Sequence, residues 1–160
     1  MSRMLSVLVD NQPGVLTRVC GLIARRGFNI ESLAVSHTED AVRSRITVVV
    51  DADEDVVEQV RKQLEKLINV YKVNDLTATN SIDRELVLFK VKAPPEKRGE
   101  IIELASIFRA KIVDVAHTSM TIEMTGTDDK LNAMEDLLSA YGIKEVVRSG
   151  KIAIPRGSAG

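Results

Sequence analysis

One order of elements, written twice, constrains this chain more than any single residue does. Hydrophobic periodicity reads strand, helix, strand, strand, helix, strand, and after a short polar stretch the same order returns at an offset of about 82 residues. In the first copy a strand is expected from Arg3 to Val9 and a helix from Gly14 to Arg26, with Val15, Leu16, Val19, Leu22 and Ile23 on one face. Strands follow from Ile30 to His37 and from Val42 to Val50, the latter alternating so that one face is buried. The acidic run from Asp51 to Asp55 opens a second helix with Val56, Val57, Val60, Leu64 and Leu67 on its stripe, and a strand from Val70 to Leu76 closes the copy. In the second copy the strands are 86–92, 112–116, 120–125 and 143–147, and the helices are 96–109 and 128–140. The fold class is therefore α+β: two ferredoxin-like βαββαβ modules of roughly 75 residues, each with two helices on one face of an antiparallel sheet. The expected division is 1–77, a polar linker at 78–83, 84–150, and a tail at 151–160, mobile from Pro155.

Composition excludes several kinds of chemistry. With a single cysteine, Cys20, no intrachain disulfide forms, and its place beside the first helix's apolar face reads as packing rather than reactivity. His37 and His117 are the only histidines, so neither a Cys/His metal cluster nor a nucleophile triad can be assembled. The carboxylates Asp51, Asp53, Glu54 and Asp55 read as a solvated helix start rather than a Mg²⁺ site, and no catalytic residue is expected. Net charge is −1 with both signs interspersed, which favours neither nucleic acid nor an anionic membrane as partner. No apolar run is long enough to cross a bilayer, and Met1-Ser2-Arg3-Met4 leads into a strand without a signal-peptide pattern, so a cytoplasmic location is expected.

Between the first strand and helix lies Asp10-Asn11-Gln12-Pro13-Gly14-Val15-Leu16, answered later by Gly27-Phe28-Asn29-Ile30. Pro13 suits a first helical turn, Gly14 lets backbone or ligand approach, and the helix start offers unpartnered N–H groups and the positive end of a dipole. That end suits a carboxylate, received by N–H groups around Gly14, Val15 and Leu16. The amide oxygens of Asn11 and Asn29 suit an ammonium, and Leu16, Ile30 and Leu33 an apolar side chain. A plain strand-to-helix turn capped by Asp10 or Asn11, with Asn29 as a turn residue, accounts for the same letters. The internal repeat bears on this choice. The offset aligns Val19 with Ile101, Leu22 with Leu104 and Ile30 with Ile112, yet sets Asn11 against Ala93, Gly14 against Glu96 and Asn29 against Lys111. The apolar frame recurs and the polar constellation does not, which favours a ligand site in the first copy.

Other proteins use this topology differently. RNA-recognition modules place stacking aromatics on the third strand; here it reads Arg43-Ser44-Arg45-Ile46-Thr47-Val48-Val49-Val50, and aromatics are 3% of the chain. A ferredoxin lacks its cluster cysteines here, and an acylphosphatase-like loop would need an arginine where Gln12-Pro13-Gly14 stands.

The run from Leu5 to Val19 resembles the opening of an ACT domain. Taken with Arg26-Gly27-Phe28-Asn29-Ile30-Glu31-Ser32-Leu33, with Ile107-Phe108-Arg109-Ala110-Lys111-Ile112-Val113-Asp114-Val115 and with Arg148-Ser149-Gly150, it is similar to the small regulatory subunits of acetolactate synthase over almost the full chain. The resemblance implies an N-terminal ACT domain and a C-terminal ferredoxin-like domain. It implies a non-catalytic chain that activates a separate large subunit and confers feedback inhibition by valine or another branched-chain amino acid. Thiamine diphosphate, Mg²⁺ and FAD are then expected on the large subunit and no cofactor on this chain. Asn11, Gly14 and Asn29 match the family's effector positions, at an interface of an ACT homodimer where Asn11 of one chain faces Asn29 of the other. An amino-acid sensor serving a different enzyme or a transcription factor is the alternative.

Overall fold

The computed structural model describes residues 2–27, 29–77 and 79–157; Met1, Phe28 of the return motif, Ala78 of the expected linker and 158–160 of the expected tail lie outside them. The element order is β1 (Ser2–Asp10), α1 (Val15–Ala24), β2 (Ile30–His37), β3 (Arg43–Asp51), α2 (Glu54–Glu65), β4 (Val70–Asp75), β5 (Ser81–Lys92), α3 (Arg98–Ile107), β6 (Lys111–Val115), β7 (Ser119–Gly126), α4 (Asp128–Ser139), β8 (Ile143–Arg148) and β9 (Ile152–Pro155). The chain forms two compact units: one runs to Asp83 and resumes at Lys151, and the other is Arg84–Gly150.

In the first unit an antiparallel sheet has the order β2-β3-β1-β4. Period-2 alternation turns Leu5, Val7 and Val9 of β1 and Ile46, Val48 and Val50 of β3 toward the helices, where Val15, Val19 and Ile23 of α1 and Val57, Val60 and Leu64 of α2 meet them in one buried cluster. The helical spacing of those six residues is what lets each helix present a single stripe. β1 and β3 pair without interruption from Ser2 opposite Asp51 to Asp10 opposite Arg43. β2 lies at the outer edge.

The second unit repeats the plan with the order β6-β7-β5-β8. Phe89, Val87 and Val91 of β5 pack with Met120, Ile122 and Met124 of β7, Ile101 and Ala105 of α3, and Leu131, Met134 and Leu138 of α4. Glu85 is 7% exposed, and the Arg148 guanidinium donates to it at 3.0 Å, which partners a carboxylate that burial would otherwise penalise.

Four expectations change. β3 is buried on both faces from Ile46 to Val50 rather than on one: Thr47, between Ser6 and Ala34 in the register, and Val49, between Met4 and Ser32, are each 3% exposed. The Lys151 N–H donates to the Ser32 hydroxyl at 2.9 Å on that side. The polar stretch ends sooner than 83, since Ser81–Asp83 already belong to β5. The helix expected over 96–109 is a 3-10 turn at Pro95–Lys97 followed by α3, which stops at a left-handed Arg109 with φ 58°. The segment expected as a tail carries β9, in which Ile152 and Ile154 alternate with Ala153; β9 pairs with β5, and the Arg156 N–H donates to the Asn80 carbonyl at 2.9 Å.

Cys20 is half-buried, and desolvation pushes its thiol pKa up, away from thiolate chemistry.

Candidate functional site

β1 delivers Asp10 to one end of the first sheet, and the chain must turn there to start α1. Gly14 makes the turn at φ +85°, where any side chain would cost about 1–2 kcal/mol. Beyond Gly14 and its two chain neighbours, no atom of the described residues stands within 4 Å of where its Cβ would be, so the requirement is conformational and the space above it is open. As N-cap it supplies no side-chain bond. The helical ladder begins with Arg18 N–H to the Gly14 carbonyl at 3.1 Å, so the N–H groups of Leu16 and Thr17 precede it and have no partner within the helix. Val15 buries its side chain in the core at 3% exposure, and its N–H leans on the Gln12 carbonyl at 3.4 Å. Leu16 remains 39% exposed at the mouth of the turn. The outcome is an open helix start flanked by an apolar side chain, fit for a carboxylate with an aliphatic group behind it.

Asn11 is held in one orientation. Its Nδ2 donates to the Ala41 carbonyl at 3.2 Å and faces His37 Nδ1 at 3.1 Å, while its backbone N–H donates to the Val42 carbonyl at 2.8 Å. A carbonyl can only accept, so the amide nitrogen is the atom on that side and His37 Nδ1 is the acceptor in the second contact. With the donor so engaged, Oδ1 has no partner among the described residues and is the group left to receive an ammonium.

Sequence reasoning did not anticipate the brace beneath this loop. Asp10 Oδ1 accepts from the Tyr71 hydroxyl and Oδ2 from Asn69 Nδ2 at 2.9 Å; Asn69 Oδ1 accepts in turn from Arg18 at 2.7 Å. The Arg43 guanidinium lies over the Tyr71 ring at 4.2 Å, a cation–π contact. This chain of contacts joins β1, α1, the turn before β4, and β3. The Tyr71 hydroxyl, followed by Asn69 and the positive charge of Arg43, holds the Asp10 carboxyl below its ordinary range, and Asp10 in turn raises the Tyr71 pKa. Because folding lowers the Asp10 pKa, its ionised form contributes fully above the unfolded value of about 3.9 and loses that contribution as pH falls through the folded value. Tyr71→Phe removes the first of these causes. The expected result is an upward move of the Asp10 carboxyl titration toward the ordinary value, followed by carbon NMR; an unchanged midpoint would show that the hydroxyl does not hold the carboxylate.

The other half of the constellation lies elsewhere. Asn29 is exposed immediately before β2, and Ile30 packs partly against the first core. The register is decisive: Ile30 pairs with Val50, Val50 with Arg3, and Asp10 with Arg43. Asn29 therefore sits at the Arg3 end of β1 and Asn11 just beyond Asp10 at the other, separated by roughly 23 Å of strand at about 3.3 Å per residue. Within one chain the structure brings Asn11, Gly14, Val15 and Leu16 together and leaves Asn29 and Ile30 apart from them. Leu33, 37% exposed, lies between on β2.

Among the described residues, no group of three or more His, Cys, Asp or Glu could hold a metal ion, and no helix is long and apolar enough to cross a membrane.

Comparison with known proteins gives a consistent picture. A family model described as the small subunit of acetolactate synthase matches residues 84–157, and one described as an AHAS small subunit-like ACT domain matches residues 5–72. A probable acetolactate synthase small subunit from Archaeoglobus fulgidus is 58% identical over 158 residues, covering 99% of each chain. An acetolactate synthase small subunit from Mycolicibacterium smegmatis is 52% identical, covering 98% of this chain and 92% of that one. The crystal structure of the acetolactate synthase small subunit from Thermotoga maritima superposes with a TM-score of 0.88 at 39% identity, over 99% of each chain.

Proposed function

Because this chain belongs to the family of acetolactate synthase small subunits, we propose that it acts as the regulatory partner of a catalytic large subunit, raising its activity and lowering it again when valine binds. The large subunit carries the chemistry and, with it, thiamine diphosphate, Mg²⁺ and FAD. This chain carries the sensor.

The observation that supports this reading is the placement of the two asparagines relative to the sheet edge. β2 is an outer strand whose Leu33 and Val35 are 37% and 44% exposed, an apolar edge of the kind that pairs with another chain. Pairing β2 antiparallel with its copy about a two-fold axis sets the start of one strand beside the end of the other. The end of β2 is His37, which touches Asn11, and its start follows Asn29. The dimer thus brings Asn29 of one chain beside Asn11 of its partner and completes two equivalent sites, each with an open helix start for the carboxylate, two amides for the ammonium, and Leu16, Ile30 and Leu33 for the side chain. Such an apolar wall separates ligands by only about 1–3 kcal/mol per methylene, so leucine and isoleucine bind as weaker competitors of valine. Valine bridges two chains and favours one arrangement of the dimer; inhibition follows where that arrangement activates the large subunit less well.

Reconstitution tests the reading. Adding this chain to the catalytic subunit of its own organism raises acetolactate formation, and valine lowers the raised rate toward that of the catalytic subunit alone. A rate indifferent to this chain, or a raised rate indifferent to every branched-chain amino acid, contradicts it.

A further inference from the structure

The two units build one joint in different ways. In each, the loop that follows the first strand is docked on a turn between two later strands by a single backbone bond. The Asn11 N–H donates to the Val42 carbonyl at 2.8 Å, and the Ala93 N–H donates to the Thr118 carbonyl at 2.8 Å. In the second unit the space over this joint is filled from within. Arg98, which the 82-residue offset sets against Leu16, donates through its guanidinium to the Ala93 carbonyl at 3.0 Å and to the Ala116 and His117 carbonyls of the turn. The joint is thus a place that receives a cation. In the first unit Leu16 carries no such group. Asn11 instead sets its two amide hydrogens on the turn side, one on the Ala41 carbonyl at 3.2 Å and one on His37 Nδ1 at 3.1 Å, which leaves Oδ1 without a partner among the described residues. Since Ala93 does without any such side-chain pair, the fold does not require Asn11 and His37 to meet.

The contact with His37 depends on one lone pair. Nδ1 accepts only while the imidazole is neutral with its proton on Nε2; a proton on Nδ1 turns it into a donor aimed at a donor. The amide then turns over, setting Oδ1 against the Ala41 carbonyl and its amino group toward the ligand, or the ring moves off. Either way the first unit acquires a positive charge of its own at the place that would receive an ammonium, as the second has in Arg98. His37 is exposed, and its ring has no partner but Asn11 among the described residues. The charged groups on the elements around it make no hydrogen bond to the ring. Asp10 of β1 is held by Tyr71 and Asn69, and Asp40 of the turn by Arg43 at 3.7 Å and the Val42 N–H at 3.1 Å. Glu39 of the turn and Arg45 of β3, which pairs with Ser36, complete the set, and α1 brings no acidic residue in its first turn.

We propose that His37 is a positioning residue of the effector site: its neutral ring fixes the Asn11 amide with the oxygen toward the ligand's ammonium, and protonation of the ring releases valine. The proposal rests on the valine-sensor reading and adds proton sensitivity to it. Because the neutral ring is the binding form, affinity is full at higher pH and falls as the medium turns acid, across the range of about pH 8 to 5 in which an imidazole changes charge. Feedback inhibition weakens over the same range.

The test is calorimetry with valine on the full chain at about pH 8 and about pH 5.5; valine is a zwitterion at both. The wild type is expected to lose affinity about five- to tenfold at the lower pH. His37→Gln, whose Oε1 accepts the same hydrogen and takes up no proton, is expected to bind equally well at both. His37→Lys, a permanent donor and cation, is expected to weaken valine at least about tenfold at either pH. The side chain is exposed, so the melting temperature of both variants stays as in the wild type. A second readout needs no substitution. Nitrogen NMR of the wild-type chain follows protonation of the His37 ring, and saturating valine is expected to move its midpoint downward, as reciprocal linkage requires, while that of His117 stays in place. A His37 midpoint indifferent to valine, or a His37→Gln variant that loses affinity at the lower pH as steeply as the wild type, overturns the role of His37 and leaves the sensor reading intact. Failure of the wild-type chain to bind valine at both pH values overturns both.

Discussion

Phe89→Ala is expected to destabilise the second unit by about 3–5 kcal/mol, the range for truncating a fully enclosed phenylalanine. Phe89 has 0% exposure and sits mid-strand in β5, with Ile122 of β7 opposite on one side and Val146 of β8 on the other. It touches both halves of its sheet, and the core cluster behind it draws on α3 and α4. Truncation therefore removes the one aromatic side chain buried in that cluster and leaves a cavity that four elements would have to close. Hydrogen exchange at the Ile122 and Val146 amides reads the loss within that unit, which matters because a chain of two units need not unfold in one step. The contrasting substitution is Ile68→Ser, 95% exposed in the first unit, for which a change within about 0.5 kcal/mol is expected. A Phe89→Ala loss no larger than that of Ile68→Ser would contradict the packing described for the second core.

Asn11→Ala and Asn29→Ala are each expected to weaken valine binding by about 1.5–3 kcal/mol, the value of a hydrogen bond to a charged group, or more than tenfold in Kd. The two substitutions act through different chains on the same ligand. Asn11→Ala also frees His37 Nδ1 and the Ala41 carbonyl, which Asn11 now satisfies, so the turn carrying Ala41 loosens as well. Asn29 has no such second role in the described contacts, and its variant reads the ligand contact more cleanly. Calorimetry with valine measures both; equal affinity for valine in wild type and both variants rejects the pair as effector contacts.

The repeated strand and helix order was legible because its signals are local. Alternation in β1 and the helical stripe of α2 fall within windows of about a dozen residues, and the predicted bounds of β2 match the observed ones residue for residue. What escaped depends on residues far apart along the chain. Tyr71 and Asn69 reach Asp10 across about sixty residues, and no pattern around Tyr71 announces that its hydroxyl belongs to the loop. His37 closes the expected second strand, yet its contact with Asn11 exists only because the β2–β3 turn folds back over the end of β1. The burial of Thr47 and Val49 also escaped, because alternation reports one sheet face and says nothing of what covers the other. β9 was missed because four residues with two isoleucines give too short a period to separate from a polar tail. The separation of Asn11 from Asn29 is the most instructive case. By their letters alone the two motifs read as one site; the family resemblance sets them on facing chains, and the strand register places them at opposite ends of β1 within one chain.

That separation underlies the account and can be tested directly. When Asn11→Ala and Asn29→Ala chains exchange subunits, half of the dimers contain one chain of each kind. Each such dimer has one site missing both amides and one site with both in place. The account predicts that neither variant alone binds valine with wild-type affinity, and that the exchanged mixture regains wild-type affinity at about a quarter of the wild-type capacity. A mixture that binds no better than its components would contradict a site shared between two chains.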